Sequence, residues 1–198
     1  MNLNPMEPLI FATRNANKVR ELNAQIDGKI EIKTLDFLNH MDELPEDFRT
    51  LEENARQKAE FIHKLYAVNC FSEDTGLEIE ALDGKPGVDT AHYSGSRDND
   101  SNIAKVLSEM SDLENRTARF RTVIYLILDG DTHIFEGIVT GKIAQKASIG
   151  KEGFGYDPIF IPDGYKQSFA EMPLELKKEI SHRAKAVEKL VSFLREKL

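Results

Sequence analysis

"ARFRTVIYLILDGDTHIFEGIVTGKIA", residues 118–144, is two β-prone runs split by a single turn signal. Val, Ile, Tyr, Phe and Thr crowd both runs, and "DGD" at 129–131 separates them. β-Branched and aromatic side chains favour the pleated backbone, and Asp-Gly favours the tight turn of a hairpin. The stretch is therefore read as one long hairpin in the middle of the chain.

On its N-terminal side, strands and helices alternate. "PLIFAT" (8–13) reads as a short buried strand, and "NANKVRELNAQI" (15–26) as a helix with Val19, Leu22 and Ile26 on one face. "KIEIKTL" (29–35) alternates like a strand, while "NHMDELPEDFRT" (39–50) is polar, carries a Pro and reads as a loop. "LEENARQKAEFIHKLY" (51–66) places Ala55, Ala59, Ile62 and Tyr66 on one helical face. "NCFSED" (69–74) and "LEIEAL" (77–82) read as two separate strands, with "TGL" forming a sharp exposed turn after the first. "DGKPGVDTAHYSGS" (83–96) reads as a loop, and "DNDSNIAKVLSEM" (98–110) as a helix through Ile103, Val106, Leu107 and Met110. Beyond the hairpin, "IGKEGFGYDPIFIPDGY" (149–165) is a glycine-rich loop entering a strand. "SHRAKAVEKLVSFLREKL" (181–198) closes the chain as a helix with Ser181 as its N-cap. The expectation is an α/β protein: an elongated mixed β-sheet with flanking helices, in two lobes around a central cleft.

The 198 residues suffice for a sizeable core. A net charge of −8 argues against a general nucleic-acid binder, but a local cluster of Lys and Arg can still take a small anion. A single cysteine, Cys70, permits no intrachain disulfide and fits a reducing compartment. The first residues lack a basic region ahead of a long apolar stretch, and no run of about 18 apolar residues exists. A cytoplasmic protein with no membrane partner is expected.

Four stretches can carry chemistry. In "FATRNANK" (11–18), a strand end leads through Thr13, Arg14 and Asn15 into a helix with Lys18 in its first turn. Free N–H groups and a mobile ammonium suit a phosphate; an Asn N-cap beside a solvated lysine is the plainer alternative. "FSEDTGLEIE" (71–80) sets Glu73 and Asp74 side by side behind an apolar run. Mg²⁺ takes one or two carboxylates plus water and substrate phosphates, and Asp74 with Glu46 from "LPEDF" (44–48) can supply them. A carboxylate there can also orient or deprotonate a water. In "GFGYDP" (153–158), glycines flank Phe154, whose ring can stack on a flat base, and Asp157 can accept from a ring N–H. The alternative is a tight turn whose aromatics belong to the core. "ISHR" (180–183) puts His182 and Arg183 in the first turn of a helix, against the helix dipole. An anionic or carbonyl-rich ligand would relieve that conflict; a surface pair with a small penalty is the alternative.

Together, "FATRNANKVREL", "EENARQKA", "SEDTGLEIEALDGKPGV", "GFGYDPIF" and "ELKKEISHRAKAV", in that order, resemble the Ham1/RdgB family of inosine triphosphate pyrophosphatases. The resemblance spans nearly the whole chain. It implies one two-lobed domain over residues 1–198, a homodimer, and Mg²⁺-dependent hydrolysis of non-canonical purine nucleoside triphosphates such as ITP, dITP and XTP. The products would be a nucleoside monophosphate and pyrophosphate.

By position, Thr13, Asn15 and Lys18 match the triphosphate motif, and Lys58 matches a second phosphate-contacting lysine. Glu46 and Asp74 match the metal-associated acids, and Asp74 also the general base. Thr75 stands where Ser is common. Phe154, Gly155, Tyr156, Asp157, Lys177, His182 and Arg183 match the nucleobase pocket. Arg14 replaces a frequent Gly, beside the phosphates. Asp89 and His92 in "PGVDTAHYSG" (86–95) stand where family members often carry Tyr and Arg. A Maf-like pyrophosphatase acting on other bases, or a nucleotide-binding protein without turnover, are the competing readings.

Overall fold

The computed structural model describes residues 8–23, 25–26, 30–150 and 154–197. Its strands are β1 (Leu9–Phe11), β2 (Ile32–Thr34), β3 (Cys70–Ile79), β4 (Pro86–Gly87), β5 (Thr117–Leu128), β6 (Asp131–Ile143) and β7 (Phe160–Pro162). Its helices are α1 (Ala16–Asn23), α2 (Leu51–Tyr66), α3 (Asn99–Glu109), α4 (Leu174–Ile180) and α5 (His182–Lys197). All seven strands join one mixed sheet in the order β2-β1-β3-β5-β6-β7, with β4 paired to β3 off that path.

The expected hairpin is the centre of this sheet. β5 and β6 pair antiparallel from Leu128↔Asp131 to Thr117↔Lys142. Only Asp129 and Gly130 form the loop, both at positive φ, as a two-residue hairpin turn requires. Asp131 belongs to the strand rather than to the turn.

β3 corrects the sequence reading. "NCFSED" and "LEIEAL" are not two strands; β3 runs unbroken from Cys70 to Ile79 and pairs with β5 along its whole length. Gly76 is not a turn residue: a Cβ there would lie 2.7 Å from the Gly87 carbonyl oxygen, so glycine lets β4 close against β3. Asp74 therefore sits in mid-strand, not at a strand's end. Three smaller differences follow local context. The strand read in "KIEIKTL" is confined to Ile32–Thr34, and Lys29 lies outside the described residues. The loop at 83–96 contains β4 and a 3₁₀ turn at Val88–Ala91. α1 ends at Asn23, and Ile26 packs beyond it. Residues 1–7, on which the leader reading rests, lie outside the described residues, as do 151–153, including Gly153 before Phe154.

The apolar core falls into three groups. Against one face of the sheet, α5 and α1 bury Val187, Leu190 and Leu22 on Phe11, Phe71 and Ile124. Against the other, α2 buries Ala55, Ala59 and Ile62 on Ile10, Cys70 and Val123. A third group gathers the far ends of β3, β5 and β6 with α3 and the 156–172 segment, around Phe120, Phe160 and Phe169. α2 is fixed at its start by Thr50, whose hydroxyl accepts from Glu53 N and donates to its carboxylate. α5 starts close against the sheet because β6 carries Gly137 there; a Cβ would come within 2.5 Å of Ala186 N. Among the described residues, no helix is long and apolar enough to cross a membrane.

Candidate active site

The site grows from a gap in the sheet. β1 pairs with β3 only as far as Phe11↔Phe71, and β4 rejoins β3 at Leu77. Between them, among the described residues, one edge of β3 has no strand neighbour from Ser72 to Gly76. Strand periodicity sends alternate side chains to opposite faces. Asp74 points to the α2 face, while Glu73 and Thr75 point to the α5 face. The adjacent carboxylates therefore face different partners and do not form one chelating pair.

On the α2 side, Lys58 Nζ fills the gap. It donates to the Glu73 carbonyl oxygen at 2.8 Å and lies 2.5 Å from Glu46 Oε1 and 3.4 Å from Asp74 Oδ1. Asn54 Nδ2 approaches the other Asp74 oxygen at 3.4 Å. Burial pushes the Asp74 carboxyl above its ordinary range, against the pull of Lys58 and Lys18. Burial opposes the charge on Lys58, but Asp74 and Glu46 outweigh it and raise its pKa. Lys18 reaches through to Glu73 Oε1 at 3.1 Å, and burial lowers its pKa.

The helix start has the Asn N-cap of the plainer alternative, but its lysine is paired with Glu73 rather than solvated. Asn15 Oδ1 caps the N–H groups of Asn17 and Lys18, at 3.0 and 3.3 Å, and Thr13 Oγ1 accepts from Asn15 N. Those amides are thus satisfied within the chain, and an anion here would rely on lysine side chains. Arg14 donates to the Met41 carbonyl and ties this turn to the 39–50 loop rather than standing free.

On the α5 side lies a buried ionic network. Arg183 Nε donates to both Glu73 oxygens at 3.0 Å, Nη1 donates to Glu21 Oε2, and Nη2 lies 3.4 Å from Thr75 Oγ1. Lys177 Nζ links Glu21 Oε1 at 3.1 Å to Asp157 Oδ2 at 2.9 Å. The conflict of Arg183 with the helix dipole is therefore relieved by two carboxylates of the chain itself. Both residues are buried, so the surface pair offered as the alternative does not hold. Burial alone would raise Glu21 and Glu73; Arg183 with Lys177 or Lys18 outweighs it and holds both carboxyls low.

Asp157 Oδ2 also accepts from Phe154 N at 2.7 Å, which folds the 154–157 turn and sets the Phe154 ring 5.4 Å from the Arg183 guanidinium carbon. Asp157 is pushed up by burial, with Lys177 opposing. His182 stacks on Phe120, with centroids 4.6 Å apart, and its Nδ1 is buried with no partner among the described residues. The Tyr156 hydroxyl is likewise buried and unpartnered.

Both sides open onto one cavity of ≈ 520 Å³. Thr13, Arg14, Asn15, Lys18, Glu46, Lys58, Asp74 and Thr75 line it at the gap. Phe154, Gly155, Tyr156, Asp157, Lys177, His182 and Arg183 line it beyond. His92 and Arg97 complete the wall, with His92 Nε2 3.6 Å from Asp89. Glu21 organises this site without having been singled out in the sequence, and Glu73, read there beside Asp74, serves Arg183 and Lys18 instead. The only signal for Glu21 was negative: two buried basic groups, Lys177 and Arg183, need buried acids.

Among the described residues, no group of three or more His, Cys, Asp or Glu is gathered for a metal. Glu46 and Asp74 nevertheless share one cation, the Lys58 ammonium, so their oxygens converge on a position that accepts positive charge. Two carboxylates completed by water and phosphate fit Mg²⁺.

Removing Arg183 tests the network. Arg183→Met should cost about 3 kcal/mol by urea denaturation, the low end for a broken buried pair because Lys18 and Lys177 stay beside the acids. With Glu21 and Glu73 depressed, that stabilisation is complete above their ordinary 4.5 and is lost as pH falls through the folded values. A variant as stable as the parent at neutral pH would contradict this.

His182 gives a second test. Burial, then Arg183 and Lys177, hold its pKa well below 6.5. Below pH 6.5 the unfolded chain binds a proton that the folded chain refuses. Stability should thus fall with pH, relative to His182→Phe, by up to about 1.4 kcal/mol per pH unit. Parallel stability–pH curves for the two proteins would contradict it.

The Ham1 family model matches residues 9–193. A dITP/XTP pyrophosphatase of Porphyromonas gingivalis is 51% identical over 191 residues, covering 96% of this chain and 98% of that protein. A protein of the same name from Bacillus subtilis is 40% identical over 194 residues, covering 96% and 98%. The solved structure of the Staphylococcus aureus Ham1 protein superposes with a TM-score of 0.88 at 32% identity, covering 97% of this chain and 100% of that one.

Proposed function

The chain belongs to the Ham1 family, and from that premise we propose that it hydrolyses non-canonical purine nucleoside triphosphates, dITP or ITP and XTP, to the monophosphate and pyrophosphate. The observation that carries this reading is the single cavity, with lysines and paired acids at one end and an aromatic ring beside base-sized polar groups at the other.

Glu46 and Asp74 would hold Mg²⁺, which when bound supplies charge neutralisation of the phosphates. Lys18 and Lys58 face the polyphosphate and stabilise the charge that builds on departing pyrophosphate. Asp74 orients a water for in-line attack on the α-phosphorus and accepts its proton. Its raised pKa suits a base, and Asn54 fixes its second oxygen.

At the other end, Phe154 offers a stacking face. Arg183 spends most of its donors on Glu21, Glu73 and Thr75, so the unpartnered His182 Nδ1 is the better donor to the purine O6. Asp157 keeps Oδ1 outside its bonds to Phe154 and Lys177, placed to accept from N1–H. The assembly is taken as a homodimer, as the family implies, and light scattering would read twice the chain mass.

Purified protein with ITP and Mg²⁺ should release pyrophosphate and IMP in equal amounts by ion-exchange chromatography. Orthophosphate with IDP would indicate a phosphatase, and no turnover with tight binding would indicate a sensor.

A further inference from the structure

Lys58 does more than face phosphate. Lys58 is buried, 4% exposed, and its ammonium touches both carboxylates assigned above to the metal. We propose that Lys58 is the resident counter-cation of that pair, so that a divalent ion enters only together with the polyphosphate. The inference rests on the pyrophosphatase reading for the identity of the anion.

A divalent ion and an ammonium cannot share Glu46 Oε1 and Asp74 Oδ1 without strong repulsion at close range. Lys18 and Arg97 add positive charge that is felt at Glu46. If the ammonium leaves without a nucleotide present, it keeps only the Glu73 carbonyl oxygen and stays buried with its charge uncompensated. A phosphate oxygen in the cavity provides the missing partner. Metal and nucleotide then help each other in, and the coupling must be reciprocal. Until both arrive, Lys58 keeps Asp74 and Glu46 from facing each other uncompensated across the gap.

Mn²⁺ is the probe, followed by the paramagnetic resonance of the free ion, with the full chain and no turnover. In wild type, after subtraction of the Mn²⁺ that the analogue chelates in a protein-free titration, saturating α,β-imido inosine triphosphate should tighten Mn²⁺ binding by roughly 100-fold, and Mn²⁺ should tighten the analogue equally. Lys58→Met should bind Mn²⁺ without nucleotide about tenfold tighter than wild type and lose most of the coupling. Equal Mn²⁺ affinity in wild type with and without the analogue would overturn the proposal, and that measurement stands even where the variant does not fold. Unchanged or weaker nucleotide-free Mn²⁺ binding in a folded Lys58→Met would overturn it too. The two readings fail differently. Without pyrophosphatase activity, ITP yields no pyrophosphate, yet Lys58→Met still gains Mn²⁺. Without the exchange, pyrophosphate forms and Mn²⁺ ignores Lys58.

Discussion

ATP is expected to be turned over about 10⁴-fold less efficiently than ITP, measured as kcat/KM, because its base leaves buried polar groups unpaired. Hypoxanthine and xanthine present an acceptor at O6 and a donor at N1. At the far end of the cavity stand the His182 ring, whose buried Nδ1 has no partner among the described residues, and the Asp157 carboxylate. Adenine reverses both positions. Its N1 lone pair would meet the Asp157 carboxylate, acceptor against acceptor.

Neither side chain can turn away to suit adenine, and of the two only neutral His182 can switch between donor and acceptor, by changing tautomer, so Asp157 carries the discrimination. Asp157 is held by Phe154 N and Lys177, and His182 is clamped on Phe120. Guanine shares O6 and N1–H, so this pair does not discriminate against it. Equal kcat/KM for ITP and ATP would remove the base-recognition scheme.

Asp74→Asn should lower kcat by about 10³-fold, within the range for a lost general base, while the protein stays folded. Asn matches the shape of Asp, and its one oxygen can still accept from Lys58, leaving its amide nitrogen toward Asn54, whose Nδ2 also donates to the Phe48 carbonyl. The burial that raises the Asp74 carboxyl also means that a neutral side chain is tolerated there. Stability should therefore hold or rise, which separates a chemical effect from misfolding.

The pH profile adds a sign. Rate should rise with pH as Asp74 deprotonates, over a window shifted above its ordinary 3.8, and that acid limb should vanish in the variant. Near-parental turnover in Asp74→Asn would mean that another group activates the water.

The elements carried by local pattern were legible in the sequence. The β5–β6 hairpin and α2 follow from alternation, turn chemistry and a helical apolar face, all set within a few residues. β3 was broken in two because Gly76 looks like a turn signal. Its real reason, the approach of Gly87 from a later segment, is invisible without the sheet. α4 has a short apolar face and was not anticipated.

The site residues were legible as motifs, but their wiring was not. Nothing near Arg183 in sequence announces Glu21, 162 residues away, or Glu73, 110 residues away. The broken dipole rule did mark the place, since a cation at a helix start needs a partner. It could not say that the partner lay inside the chain. Likewise "SED" offered two adjacent acids, and only strand alternation assigns one to Lys58 and the other to Arg183.

The most direct measurement is to hydrolyse ITP with Mg²⁺ in water enriched in heavy oxygen and to locate the label by phosphorus NMR. Attack on the α-phosphorus by a water held at Asp74 puts the label in IMP and leaves pyrophosphate unlabelled. Label in pyrophosphate, or orthophosphate as the product, would contradict the account.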